Sequence, residues 1–441
     1  MKRIYSDYAY GAGPRTNCFW DESAVAFEWP SQAGETKADL CVIGAGFTGV
    51  NAAITAERGG MDVVVLEAET PGWGASGRNG GFCCLGGGIH EKAKLRQRYG
   101  EAAEAAFHAA EKAAVNHVAG LLEAHSIDAD VHSEGETYLA HKASRLAELE
   151  AHGRDYEKTY GGTATYASAK DLAENGMAGP FFGAVTIKTG FALNPRKYID
   201  GILAVARDLG VQIFAKSPAT RVERNGQTWR VSTPNGVVLA EKVLIATNGY
   251  SSDDLPKWMS ARYMPTQSTI IVTRPLTGDE IQRQGWTSQQ MSYDTRHLLH
   301  YFRLMPNNRF LIGMRGGLTS SAASEERARA RVRASFGKLF PAWKDVEITH
   351  QWSGMVCLSP KFLPFAGEVP GHPGLMAGFA YHGNGVAMGS YTGHMLGQMA
   401  LGEGGGHIPA AMRADPGRFP FGAARRIIMP PAYASFWLQD L

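Results

Sequence analysis

The stretch Asp39-Leu-Cys-Val-Ile-Gly44-Ala-Gly46-Phe-Thr-Gly49 runs into an alanine-rich segment and then into Val63-Val-Val-Leu-Glu67. It reads as strand, glycine turn, helix and second strand, closed by an acid about twenty residues after the last glycine, the dinucleotide fingerprint in its βαβ setting. The fold class that follows is α/β, with a Rossmann-type domain at the start of the chain.

Each residue type has a physical task. Gly44 permits the sharp turn, Gly46 leaves room for a pyrophosphate at the helix N-terminus, and Gly49 lets helix and strand pack closely. Unpaired amides and aligned peptide dipoles at that terminus attract phosphate. Glu67 can accept hydrogen bonds from both hydroxyls of an adenosine ribose, whereas a 2'-phosphate would be repelled there, so FAD or NAD is favoured over NADP. The competing reading is a glycine turn in an unrelated α/β protein, against which both strands, the helix and the acid weigh together.

With 441 residues, 44% of them hydrophobic and 20% charged, the chain is long enough for two domains around large cores. A formal net charge of +2 is too small to imply nucleic acid or a membrane surface as partner. Nothing in Met1 to Gly13 has the apolar run of a signal peptide or anchor, and no stretch approaches bilayer-spanning length, so a cytoplasmic location is expected. Cys18, Cys41, Cys83, Cys84 and Cys357 form no CxxC pair and read as buried thiols. The histidines lack ligand spacing, so no metal is expected.

Outward from the fingerprint, the first thirty-odd residues carry Tyr5, Tyr8, Tyr10, Phe19 and Trp20 and read as an arm that packs on something, a partner subunit of a homo-oligomer being one candidate. Helices are expected from His90 to about His125 and from Ser144 to Tyr160, with a strand at Gly135–Ala140 between them. That rhythm is α+β rather than parallel βαβ. Asn194 should cap a helix with proline at its first position that runs to about Leu209. Strands follow at 211–215, Trp229–Ser232, Val237–Ala240 and from Lys242 into a glycine turn at Tyr250. A strand-rich region holds Thr269–Thr273, Leu299–Arg303 and Arg309–Gly313, with a charged helix near Ala323–Gly337. Leu375–Phe379, a glycine-dense loop and a helix over about Ser390–Leu401 return to the first lobe. No internal repeat is visible.

Two further glycine clusters bear on chemistry. Gly72-Trp-Gly-Ala-Ser-Gly-Arg-Asn-Gly-Gly81 could let backbone pass against a flat ring while Ser76, Arg78 and Asn79 supply donors; otherwise it is a mobile surface loop. Gly378-Phe-Ala-Tyr-His-Gly-Asn-Gly-Val-Ala-Met-Gly389 precedes the last helix, whose N-terminus would stabilise negative charge developing at a flavin C2 carbonyl; otherwise it is a capping turn.

Together these features resemble the glycine oxidase and D-amino acid oxidase family of FAD-dependent amine oxidoreductases over about Ala38 to Glu403. Gly74-Ala-Ser-Gly-Arg-Asn-Gly-Gly81, Tyr301-Phe-Arg303, Trp352-Ser-Gly354 and the late Gly-Phe-Ala-Tyr-His-Gly run look like the gamma-glutamylputrescine oxidase branch. The resemblance implies a Rossmann-type FAD-binding domain interleaved with an α+β substrate domain built on an antiparallel or mixed sheet. Residues 1–36 would be an N-terminal arm, 37–90, 191–255 and 352–405 the FAD-binding domain, 91–190 and 256–351 the substrate domain, and 406–441 a C-terminal tail. Gly44, Gly46 and Gly49 would hold the pyrophosphate, Glu67 the ribose and Ala219 the adenine, with Phe47, Thr48 and Ala68 also in contact with the cofactor. Ala246, Thr247, Asn248 and Gly249 match the second cofactor strand. Gly74, Ala75, Ser76, Arg78, Asn79, Gly80 and Gly81 would lie along the isoalloxazine, with Gly354 nearby and His382, Gly383, Asn384, Gly385 and Val386 at its pyrimidine edge.

Two departures matter. Cys357 stands a few residues out of register with the cysteine of covalently flavinylated relatives, so non-covalent FAD is expected. Leu311 occupies the position where sarcosine-oxidising relatives have a lysine that promotes reaction with dioxygen.

The activity implied is oxidation of a carbon–nitrogen bond in a small amine or amino acid, gamma-glutamylputrescine-like or a secondary amine. Hydride would pass to flavin N5, the imine would hydrolyse, and dioxygen would reoxidise the flavin to give hydrogen peroxide. Arg315, the cation that ends the apolar run from Phe310, could fork onto a substrate carboxylate or pair with a surface acid. Tyr301, on the same strand face as Arg303, could wall the substrate cavity or belong to the core. His382 could transfer a proton or hydrogen-bond its own loop. The other readings are a dehydrogenase with another electron acceptor, a NAD-dependent dehydrogenase, and a non-catalytic redox-sensing flavoprotein. Trp73, Trp352 and Tyr381 suggest an aromatic-lined pocket.

Overall fold

Leu40-Cys-Val-Ile43 is buried on both faces because the strand that contains it, Gly34–Ile43, lies between two parallel neighbours in the middle of a mixed sheet. In the computed structural model, which describes residues 1–25, 27–88 and 92–440, this strand pairs with Gly236–Ile245 on one side and Val63–Leu66 on the other. The eight-stranded sheet runs Phe365–Glu368, Leu375–Phe379, Gly236–Ile245, Gly34–Ile43, Val63–Leu66, Gln212–Phe214, with Thr228–Ser232 branching from Gly236–Ile245 and Arg221–Asn225 pairing with that branch. Ile43 is level with Ile245 and with Leu66. The three parallel strands therefore end together, and a cleft opens beyond their carboxyl ends as expected for this topology.

The helix Phe47–Arg58 packs against Ala387–Ala400 and Pro195–Leu209. Asn194 caps the last of these by accepting from the Arg196 and Lys197 amides, with Pro195 at the first position, and Gly210 ends it at φ +107°.

The second eight-stranded sheet runs Ile348–Leu358, Met264–Thr273, Phe310–Arg315, His300–Leu304, Met291–Asp294, Glu136–Leu139, Gly183–Ile187, Ala164–Ser168. All its pairs are antiparallel except Met291–Asp294 against Glu136–Leu139. Period-two alternation divides its work. Phe302, Phe310 and Ile312 join Trp286, Phe336, Phe340 and Trp343 in an aromatic core behind the sheet. Tyr301, Gly313, Arg315, Ser268 and Ile270 share the opposite face, with Tyr301 opposite Gly313 and Ser268 opposite Arg315.

Several expectations change. The long helix breaks at Gly100, φ +88°, into Lys92–Tyr99 and Glu101–Ala124, and its expected start at His90 lies outside the described residues. Val237–Ala240 and the Lys242 strand are one element, Gly236–Ile245, because continuous pairing with Gly34–Ile43 carries it past the polar Glu241-Lys242 step. Trp352-Ser-Gly354, placed in the 352–405 cofactor segment, lies in the Ile348–Leu358 strand of the second sheet. The arm packs on its own chain: the Trp20 indole donates to the Asn79 carbonyl at 2.8 Å, and the Tyr5 ring lies 3.7 Å from the Arg426 guanidinium. Residues 406–441 are no loose tail. Arg425, fully buried, pairs with Asp253 at 2.7 Å, and the helix Met429–Asp440 is tied through the Asp440 carboxylate to the His297 and Leu298 amides.

Candidate functional site

A cleft of about 920 Å³ runs from the carboxyl ends of the parallel strands to the face of the second sheet that carries Tyr301 and Arg315. Its walls collect residues from every segment singled out in the sequence: Gly44, Gly46, Phe47 and Thr48; Glu67 and Ala68; Gly74, Ala75, Ser76, Arg78, Asn79 and Gly80; Ala219; Ala246, Thr247 and Asn248; Gly354; and His382 to Val386. Gly49, Gly81 and Gly249 are not among them. A Cβ on Gly49 would stand 1.9 Å from the Gly44 carbonyl oxygen, so this glycine serves helix-to-strand packing. Gly81 lies against the Leu193 carbonyl and the Arg303 guanidinium, and Gly249 faces Met355 and Cys357.

At the fingerprint, Gly46 caps the helix Phe47–Arg58 with no side chain. The Phe47 amide donates instead to Ser76 Oγ at 2.9 Å, which brings the second glycine cluster over the helix N-terminus. Glu67 Oε2 accepts from the Ala45 amide at 3.0 Å and Oε1 from the Glu69 amide at 2.9 Å. Each oxygen keeps a further acceptor site for a ligand, and burial raises the carboxyl above its ordinary range.

The cluster from Gly72 to Gly81 is an ordered wall. Arg78 is 1% exposed, its guanidinium donating to the Trp73 and Ser353 carbonyls while lying 4.2 Å from the Trp73 ring. Asn79 donates to the Ala75 and Ser76 carbonyls and accepts from the Gly81 amide. Both side chains therefore shape the loop while lining the cleft, with the hydrogen bonds named here spent on the backbone. Trp73 and Tyr381 line the cleft, but Trp352 is fully buried behind Arg78, donating to its carbonyl at 2.8 Å.

The late glycine loop is backbone-strained, with Ala380 at φ +67° and His382 at φ +54°. Asn248 Oδ1 holds it by accepting from the Ala380 amide at 2.9 Å. His382 Nδ1 donates to the Gly87 carbonyl at 2.7 Å and Nε2 accepts from the Ser359 amide at 3.2 Å. That arrangement suits a neutral imidazole with both nitrogens engaged, so a proton-transfer role is corrected to one of positioning. The His382 carbonyl in turn accepts from Arg315 Nη2 at 2.7 Å. A Cβ on Gly383, at φ +115°, would stand 2.5 Å from that same Nη2, so a glycine is needed for the guanidinium to approach.

Arg315 lines the cleft and, among the described residues, has no carboxylate partner. Burial lowers its pKa. Its remaining donors could fork onto an anion. Tyr301 lines the same wall, its hydroxyl 2.8 Å from Ser268 Oγ and its ring against Gly80 and Gly313; burial pushes the phenol up to about 12. Arg303, two residues on, is buried away from the cleft and donates to the Gly81 and Leu193 carbonyls at 2.7 and 2.8 Å, burial lowering it to about 9. It ties the flat glycine wall to the second sheet.

Leu311 is fully buried in the cluster of Ile270, Trp352 and Tyr301, outside the cleft lining, and among the described residues no lysine lines the cleft. Cys357 borders the cleft, but burial pushes its thiol up to about 12, so it stays protonated and weakly nucleophilic. All five cysteines are buried and free. Among the described residues, no helix is long and apolar enough to cross a membrane.

Sequence reading missed several wall residues: Glu136 and Tyr293 from the second sheet, and Met429, Ala432, Tyr433 and Phe436 from the last helix. No local motif marks them, although Tyr433 and Phe436 stand on the i, i+3 spacing of one helix face.

The donor set fits FAD. A helix N-terminus capped by a glycine, a carboxylate with spare acceptor sites and two flat glycine walls face one cleft, and among the described residues the buried Tyr250 hydroxyl at its edge has no hydrogen-bond partner. The pyrophosphate could lie at Gly44–Thr48, the ribose at Glu67, the adenine at Ala219, and the ring between the Gly74–Gly80 wall and the His382–Val386 loop.

Comparison with known proteins agrees. Residues 39–399 match the family model DAO, FAD dependent oxidoreductase. The chain is 32% identical over 390 residues to the probable oxidoreductase OrdL of Rhizobium meliloti (strain 1021), covering 87% of this chain and 88% of that protein. It is 27% identical over 365 residues to the gamma-glutamylputrescine oxidoreductase of Escherichia coli (strain K12), covering 83% and 84% of the two chains. Among solved structures, glycine oxidase from Bacillus cereus ATCC 14579 superposes with a TM-score of 0.69 at 18% identity, over 86% of this chain and 98% of that one.

Proposed function

The chain belongs to the DAO family of FAD-dependent oxidoreductases, and from that premise we propose that it oxidises a carbon–nitrogen bond of a small amine or amino acid that carries a carboxylate. The observation that carries this reading is Arg315, a half-buried guanidinium on the cleft wall with no acid partner among the described residues, held beside the late glycine loop by the His382 carbonyl. Such a cation is costly to bury unless an anion completes it. The likeness to a gamma-glutamylputrescine oxidoreductase supports an amine substrate that also carries an amino-acid end.

Bound FAD supplies the two-electron oxidation; the chain's task is to bind, orient and exclude water. Arg315 anchors the anionic end. Tyr301, kept protonated by burial and oriented by Ser268, presents its ring as a wall along which the substrate chain lies. The reacting nitrogen must bind with its lone pair free, so that it can stabilise the adjacent carbon as oxidation proceeds. The apolar and aromatic walls favour the uncharged amine at that point. The Met429–Asp440 helix covers the cavity beside Tyr433 and Phe436 and limits solvent entry. The imine product then hydrolyses in water to an aldehyde or keto acid.

We assign dioxygen as the electron acceptor. The second reading, a dehydrogenase that passes electrons to another acceptor, is favoured by one observation: no lysine lines the cleft among the described residues, and the position expected for one holds the buried Leu311. Anaerobic mixing of the purified protein with a panel of amines and amino acids, followed by air, tests both. Bleaching of the flavin by an amine, with rapid return of colour and peroxide in air, is expected. Bleaching without return identifies the dehydrogenase, and no bleaching by any amine refutes the proposal.

A further inference from the structure

An acid on the substrate-facing wall has no task in the reaction above. Glu136 opens the strand Glu136–Leu139, lines the cleft with Tyr293, Cys84 and Leu85, and is 5% exposed. Among the described residues no cation pairs with it; its polar neighbour is the Cys84 thiol, with Tyr293 and Cys83 close by. Burial pushes the carboxyl up to about 8. A carboxyl kept from water without a partner is expensive, and a cation delivered by a ligand relieves that cost.

The sheet places this acid far from Arg315. The Phe310–Arg315 and Glu136–Leu139 strands are separated by His300–Leu304 and Met291–Asp294, so three strand spacings of about 4.8 Å put them roughly 14 Å apart across the sheet. Arg315 is level with Leu299, whereas Glu136 is level with Met291, so the two are offset along the strands as well. Tyr293 and Tyr301, paired across their strands, both line the cleft between these ends.

We propose that Glu136 receives a cationic nitrogen of the substrate at the end of the cavity opposite Arg315. The substrate is then an extended molecule with an anionic end, a cationic nitrogen at the far end and the neutral amine that is oxidised. This rests on the reading of the cleft as an amine site. The acid and the arginine, neither ion-paired among the described residues, their distance and the aromatic wall between them define both ends of one binding track.

The test uses the FAD-loaded protein and binding alone. Unbranched ω-aminocarboxylates of four to eight carbons are titrated against the flavin spectrum beside alkanoates of equal length, which share the carboxylate and lack the ammonium. At one or more lengths the amino compound should bind about tenfold more tightly, the size of one charge-assisted hydrogen bond. Glu136→Gln should bring that ratio near one while FAD content is retained. Glu136→Asp, whose carboxylate is drawn back by one methylene, should keep the preference and move it to a longer compound. Equal affinities at every length in the wild type, or a preference that Glu136→Gln leaves intact, would overturn the proposal. If amines bleach the flavin while this preference is absent, the inference fails and the oxidation stands; a Glu136-dependent preference without bleaching by any amine does the reverse.

Discussion

Replacing Glu136 by glutamine should stabilise the protein near neutral pH. The glutamine fills the same space and hydrogen-bonds similarly but never ionises. In the wild type the carboxyl is raised from its ordinary 4.5 to about 8 by burial, with no cation among the described residues to offset the desolvation. A folded-state pKa above the unfolded one favours folding of the protonated form. The contribution is intact below pH 4.5 and is lost as pH rises through about 8. Relative to glutamine, the wild type should give up about 1 kcal/mol at pH 5, about 3 kcal/mol at pH 7 and about 4 kcal/mol near pH 8, after which the difference levels off. Urea unfolding of both FAD-saturated proteins from pH 4 to 9, analysed as midpoint and slope, reads this directly. A difference that stays flat across the range, or one favouring the wild type at pH 8, would show that Glu136 is solvated or paired in the folded protein. The cavity argument would fall with it.

Other outcomes follow from the same geometry. Arg315→Met should raise the Michaelis constant for a carboxylate-bearing substrate on the order of a hundredfold, the loss of a forked, charge-assisted pair, with little change in the flavin spectrum; unaltered kinetics would remove Arg315 from the site. Glu67→Ala should weaken FAD binding by roughly tenfold to a hundredfold, measured by fluorescence of released flavin, and unchanged occupancy would count against the ribose assignment. Gly49→Ala forces a Cβ to 1.9 Å from the Gly44 carbonyl, so the turn must open; FAD occupancy and the melting temperature should fall together, and a fully loaded variant with wild-type stability would refute the packing role. Precipitation with acid should leave the FAD in the supernatant, because the Cys357 thiol is held protonated near 12; flavin fixed in the pellet would contradict the non-covalent reading.

Local rules made the cofactor half of the molecule legible. Gly44, Gly46 and Gly49 meet steric demands a few residues apart, Leu40–Ile43 shows the continuous apolar run of a doubly covered parallel strand, and Asn194-Pro195 announces its helix by cap chemistry. Arg315 was legible as a cation interrupting an apolar strand, and Tyr301 as its neighbour. The functional weight of Arg78, Asn79 and His382 was not, because the same side chains can face a ligand or fold back on backbone carbonyls and amides. Here they fold back. Sequence alone therefore determined the βαβ core, the cofactor class and the glycine walls, since each depends on residues adjacent in the chain. Which polar groups stay unpartnered was decided by tertiary structure alone. Glu136, Arg315 and the Met429–Asp440 helix come to one cavity from opposite halves of the chain, and whether a buried charge finds a partner depends on what distant strands bring beside it.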